Sequence, residues 1–171
     1  MPKKVDHDAY RLELATRAAE LFSEQGFSGL GMRQIASELG ISKSALYHYF
    51  PTKQALFHAC TDVATSSDSN IAPEKGNLAA LFEMFSAQED QFPKEMSLLW
   101  DYLRGKDPKE IAEDETMALA NGRYLDLVEQ YVGKRNAKPV LCLLMGTLLQ
   151  SYLDGGQTQL SDVERWLKNR I

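Results

Sequence analysis

The chain has 171 residues, 44% hydrophobic and 25% charged, which is too apolar for a disordered protein and enough for one helical fold or two small units sharing a core. Its net charge of −5 and pI near 5.2 exclude a protein that coats nucleic acid with its whole surface. The charge is unevenly divided: residues 1–60 hold 7 basic and 6 acidic groups, net +1, whereas residues 61–171 hold 12 and 18, net −6.

Leucine occurs 23 times against 11 for valine and isoleucine together, a balance that favours helices over sheets. No apolar stretch follows Lys3 and Lys4, so no signal peptide is expected, and the run from Val140 to Leu149 is too short to span a bilayer. Cys60 and Cys142 stand alone, as suits a reducing cytoplasm. His7, His48 and His58 lack partners at metal-ligand spacing, so neither a metal nor a cofactor is expected.

In chain order, Leu14, Ala15, Ala18, Leu21 and Phe22 mark one face of a first helix that stops at Gly26, with Phe27 packing beneath it. A short second helix is expected from Met32 to Leu39, with Ile35, Ala36 and Leu39 inward. Gly40 turns the corner, and Ser42 caps a third helix from Lys43 to Phe50. Pro51 breaks the chain and Thr52 caps a fourth helix running past Phe57. The pattern lapses into a loop or hinge over Ser66–Asn77. Further helices follow near Leu78–Gln88, Pro93–Leu103, Pro108–Val132, Pro139–Leu153 and Leu160–Lys168, for about nine in an all-α chain.

Two short helices joined by a three-residue turn form a helix-turn-helix. Ala36 must be small where the helices cross, and Ile41 and Leu46 bury the inner side. Three successive helix starts also run against the usual rule that acids occupy the first turn. Arg33 follows Gly31, Lys43 follows Ser42 and Lys53 follows Thr52, with no acid in those turns; the last helix, by contrast, reads as a capping box over Ser161–Glu164. Free amides beside a cation make a phosphate site, and three of them within about twenty residues read as a DNA-backbone clamp. Tyr47, His48 and Tyr49 fan around a helix and cannot all face a core, so they are assigned to phosphates, sugars and base edges. Lys43, Ser44 and Ala45 enter the major groove first. For one of the two tyrosines, packing on a neighbouring helix is the competing reading.

The stretch "GMRQIASELGISKSALYHYFPTKQAL" (Gly31–Leu56) resembles the tetracycline-repressor (TetR) family, whose signature reads roughly T-x-R-x-I-A-x-x-x-G-[VI]-S-x-x-x-[LI]-Y-x-[YH]-F-x-x-K-x-x-L. The likeness covers about residues 10–60. It implies a three-helix DNA-binding domain over 1–60 and a helical effector-binding and dimerising domain over 61–171. It also implies DNA contacts at Arg33, Lys43, Ser44, Ala45, Tyr47, His48, Tyr49 and Lys53. Leu30-Gly31 departs from the family's hydroxyl residues and removes a side-chain cap, so Gly31 is not counted among the contacts.

Pro139–Leu153 is apolar nearly all round and needs cover on both sides. One solution is a homodimer through this helix and Leu160–Lys168, whose Leu160, Val163, Trp166 and Leu167 form a stripe; the other is complete burial within one chain. The resemblance favours the dimer, which would set recognition helices about 34 Å apart on a pseudo-palindromic operator. Phe82, Phe85, Met96, Trp100, Leu103, Met117, Asn121 and Tyr124 are candidate lining for a small, largely apolar effector, or alternatively plain core. Asn121 stands out on the stripe Met117–Asn121–Tyr124–Val128–Tyr131, bonding either a ligand or a backbone carbonyl.

The expected function is a ligand-responsive DNA-binding regulator, a repressor released from its operator by the effector. An enzyme is not expected: no Ser/His/Asp or Cys/His set assembles, and carboxylates such as Asp101 and Glu129 have no catalytic partner. The alternative is a protein-interaction module that kept the fold and lost specific DNA binding.

Overall fold

The structure, a computed structural model, describes residues 6–67, 77–168 and 170. Among the described residues the regular structure is all helical, in ten helices: α1 (His7–Gln25), α2 (Met32–Glu38), α3 (Lys43–Tyr49), α4 (Lys53–Ser67), α5 (Leu78–Ser86), α6 (Phe92–Leu103), α7 (Pro108–Ala112), α8 (Glu115–Val132), α9 (Lys134–Leu153) and α10 (Leu160–Leu167). Apart from its two ends, the loop expected over Ser66–Asn77 lies outside the described residues. They form two compact units, one of residues 6–67 and 96–120, the other of residues 77–95 and 121–168.

The N-terminal unit starts where the Asp6 carboxylate accepts the Asp8 and Ala9 amides, both at 3.1 Å. Leu14, Ala15, Ala18 and Phe22 recur at helical spacing and are buried, and α4 packs along this face. Gly26, at φ 77°, ends α1. After α2 the chain reverses through paired bonds: the Ile41 amide donates to Ala36 O and the Gly40 amide to Ser37 O, both at 3.0 Å. This is a Schellman closure, and it requires a left-handed residue, supplied by Gly40 at φ 72°. Ser42 Oγ then accepts the Ala45 amide at 3.1 Å and starts α3. Thr52 Oγ1 does the same for α4 through Ala55, at 3.0 Å.

The end of α6 and the start of α8 belong to this same unit. Phe22, Phe27, Phe57 and Tyr102 form an aromatic nest with ring centroids 4.5–5.8 Å apart. The expected helix Pro108–Val132 is two helices, which raises the count from about nine to ten. Asp107 caps α7 in a full capping box with Glu110, and Asp114 then caps α8 by accepting the Thr116 amide at 2.9 Å and the Met117 amide at 3.0 Å.

In the other unit Asn77 caps α5, burying Leu81, Phe82 and Phe85. Here α10 packs on both α5 and α9. Helix α9 begins at Lys134, a turn and a half before the expected Pro139, because Gly133 O accepts the Asn136 and Ala137 amides at 3.1 Å. Pro139 sits inside the helix and only forgoes the bond its amide would make one turn back. The capping box expected over Ser161–Glu164 does not form: α10 starts at Leu160, the flanking Gln159 gives no side-chain cap, and Asp162 lies in the first turn, pairing with Arg165 at 3.2 Å.

The expectation that α9 is covered all round is half met within one chain. Ala137, Val140, Leu144, Thr147 and Leu148 are buried, but Tyr152 and Leu153 are 59% and 68% exposed. Complete burial within the chain is therefore ruled out. On α10 the expected outward stripe divides, with Leu160 and Leu167 buried and Trp166 exposed.

Two glycines nine residues apart make opposite demands. Gly40 occupies left-handed space, whereas Gly31 has an ordinary extended φ of −98° with nothing within 4 Å of an added Cβ. Gly40→Ala should lower unfolding free energy by about 1–2 kcal/mol through backbone strain. Gly31→Ser should raise it by roughly 0.5 kcal/mol through a stiffer unfolded chain and a new cap. Urea titration of the two variants beside the parent chain measures both signs.

Candidate nucleic-acid interface

Helix α3 carries the candidate readout surface, and its neighbours decide which side chains remain available. Leu46 is fully buried against α1 and α2 residues of the core, which fixes the helix's inner side. Lys43, Ser44, Tyr47 and His48 are consequently exposed and Ala45 is half-buried. Lys43 Nζ lies 5.5 Å from the Tyr47 ring centroid, one helical turn on, so cation and ring share a face. Ser44 Oγ is 3.0 Å from the capping Ser42 Oγ. Arg33, at the start of α2, is exposed; among the described residues neither it nor Lys43 pairs with a carboxylate.

Two of the candidate contacts have partners within the chain. Tyr49 packs back onto α1: its ring meets Tyr10 at 5.5 Å and its hydroxyl lies 2.9 Å from His7 Nδ1. It is the tyrosine of the pair that packs on a neighbouring helix, and it brings His7 alongside His48, with ring centroids 6.4 Å apart. His7 is thus a surface residue that the sequence did not single out. Lys53 is not an open cation. Its Nζ donates to Phe27 O and Leu30 O, both at 3.0 Å, and lies 4.2 Å over the Phe27 ring. Of the three basic helix starts, two keep fully open cations, and the third holds the α1–α2 loop with one N–H to spare. A basic start also recurs at α9 with Lys134 and Arg135, so basicity alone does not mark this surface.

Behind α3, Arg17 Nη2 donates to Leu39 O at 3.0 Å and satisfies the end of α2. The Cys60 Sγ donates to Ala15 O at 3.2 Å, and burial pushes this thiol up to about 12, so it stays protonated and unreactive. Asp101 reaches the α1–α2 loop and accepts the Ser28 amide at 2.6 Å; that bond holds its carboxyl below the usual carboxylate range. Burial alone would raise Asp114, but the Lys106 ammonium, the Tyr102 hydroxyl at 2.8 Å and the Met117 amide outweigh it and lower its pKa. Among the described residues no cluster of His, Cys, Asp and Glu is suited to hold a metal.

The candidate effector residues do not form one lining within either unit. Leu103 and Met117 pack against the N-terminal unit's core, Met96 is half-buried in that unit, and Trp100 is 62% exposed. Phe82, Phe85 and Tyr124 belong to the other unit, with the two phenylalanines buried. Asn121 is exposed, so its amide is hydrated and the desolvation argument for a ligand partner does not apply.

A Schellman-turned helix pair with an outward lysine, serine, tyrosine and histidine on its second helix has the form of a helix-turn-helix. Residues 14–60 match the sequence profile of the tetR family of bacterial regulatory proteins. Along its whole length it is 25% identical to the HTH-type transcriptional regulator PksA of Bacillus subtilis, over all of this chain and 92% of that one. Over 94 residues it is 32% identical to the HTH-type transcriptional repressor Rv1474c of Mycobacterium tuberculosis, spanning 54% of this chain and half of that one. The fold matches the multidrug binding protein EbrR, solved with proflavin, at a TM-score of 0.68 and 16% identity over 94% of this chain and 99% of that one.

The two lysines should separate in stability. Lys53→Ala removes charged bonds to two carbonyls and should cost about 1.5–3 kcal/mol of unfolding free energy. Lys43→Ala, at an exposed position, should change it by less than about 0.5 kcal/mol. Thermal melts of the two variants at matched concentration decide this.

Proposed function

We propose that this protein is a TetR-type regulator, a homodimeric repressor that leaves a pseudo-palindromic operator when its C-terminal part takes up a small, largely apolar effector. The observation that carries the DNA-binding half is the open surface of α3, where Lys43, Ser44, Tyr47 and His48 are exposed and Lys43 has no carboxylate partner among the described residues. Lys43 and Ser44 are suited to base edges, Tyr47 and His48 to phosphates and sugars, and Arg33 to the backbone ahead of α2. Ala45 would meet a thymine methyl. Tyr49 and Lys53 have other partners and act mainly by holding α3 and α4 in place, Lys53 with one N–H left for a phosphate.

The functional division we propose is DNA reading by residues 1–60 and effector binding with dimerisation by residues 61–171. The dimer reading is supported by the exposed apolar side of α9 and α10: Leu149, Tyr152, Leu153 and the 48%-exposed Trp166. For the effector, Phe82, Phe85, Met96, Leu103, Met117 and Tyr124 remain the proposed contacts; Trp100 and Asn121, being exposed, are weaker members of the set. The effector would act by favouring a conformation with the wrong half-site spacing. A cytoplasmic location accords with this role, and none of the described helices is long and apolar enough to cross a membrane.

Fluorescence anisotropy on a duplex selected by the parent protein from a random-sequence library tests the DNA surface. Lys43→Ala should weaken binding about tenfold and lower the salt slope by about one per half-site. Tyr47→Ala should weaken it about fivefold or more. Unchanged affinity in both would take DNA recognition away from α3, whereas a parent that selects no duplex would favour the protein-interaction alternative. For the dimer, Leu153→Asp combined with Trp166→Asp should halve the mass in sedimentation velocity and abolish binding to the two-half-site duplex.

A further inference from the structure

The α1–α2 loop, residues 26–31, leads into α2 and is bonded by two charged side chains, one from α4 and one from α6. On one side the Lys53 ammonium binds the Phe27 and Leu30 carbonyls. On the other, Asp101 of α6 accepts the Ser28 amide at 2.6 Å with its side chain 17% exposed. The fit is close: a Cβ added at Gly26 would stand 3.0 Å from Asp101 Oδ2. Tyr102, the next residue of α6, lies against Phe27 at 4.9 Å and Phe57 at 4.5 Å. With a cation on two of its carbonyls and an anion on one of its amides, the loop has little freedom. Nothing in the helix-turn-helix motif itself calls for a carboxylate 73 residues further along the chain.

Resting on the DNA-binding reading above, we propose that Asp101 is a positioning residue for operator binding, fixing the α1–α2 loop through the Ser28 amide so that Arg33 at the start of α2 and the spare N–H of Lys53 on α4 are held in one register. Simple electrostatics predicts the opposite effect. Asp101 is an acid on a DNA-binding unit, so removing its charge should, by field alone, tighten binding to polyanionic DNA. Positioning predicts weaker binding, because only the fraction of molecules with the loop in place is competent. The two accounts differ in sign.

The test uses the full chain, with Asp101→Ala and Asp101→Asn beside the parent, and the duplex that the parent selects from a random library. Asp101→Ala should raise Kd at least about fivefold while leaving the salt slope at the parent value, since no phosphate contact is lost. Ser28 amide exchange without DNA should quicken roughly tenfold. Asp101→Asn, which keeps an acceptor oxygen, should restore most of both and remains informative if the alanine variant folds poorly. Equal or tighter binding by Asp101→Ala overturns the proposal, as does unchanged Ser28 exchange. If the parent selects no duplex, the DNA-binding reading fails and takes the positioning role with it; Ser28 exchange then still reports whether Asp101 holds the loop.

Discussion

The direction in which α3 leaves the core is set by two backbone bonds, from Ile41 to Ala36 and from Gly40 to Ser37. Both need the left-handed φ at residue 40, which a side chain resists. With the turn closed, Leu46 falls into the core and Lys43, Tyr47 and His48 face outward. Arg17 adds a third tie by satisfying the Leu39 carbonyl from α1. The candidate readout face is therefore a by-product of how a helix end satisfies its last carbonyls.

Around that turn the packing is aromatic and the polar work is local. Phe22, Phe27, Phe57 and Tyr102 join α1, the following loop, α4 and α6 in one nest. The charged groups nearby complete backbone atoms more than they pair with one another: Lys53 on two carbonyls, Asp101 on an amide, Arg17 on a carbonyl. The cations left without such duties, Arg33 and Lys43, are those for which an external anion is the natural partner.

Much of the N-terminal unit was legible because its determinants are local. The stop at Gly26, the corner at Gly40 and the caps at Ser42 and Thr52 each act within four residues, and all stand where the pattern placed them. What sequence could not supply was reach. Lys53 and the carbonyls it binds are 23 and 26 positions apart, Tyr49 and His7 are 42 apart, and no periodicity encodes such meetings. The break at Asp114 was legible in principle, since an acid before "ETM" is a cap signal, but the continuous apolar pattern around it masked the split. Asn121 misled because a helical stripe is about 100° wide and its edge faces water.

The aromatic nest bears on inheritance. Three of its rings, Phe22, Phe27 and Phe57, come from the segment that matches the tetR profile, while Tyr102, which meets Phe27 and Phe57, comes from well beyond it. A head excised near residue 60 and grafted onto a foreign body would leave those rings without their lid unless the recipient supplied an equivalent aromatic. Recombination is thereby constrained: residues 14–60 and the end of α6 must travel, or drift, together.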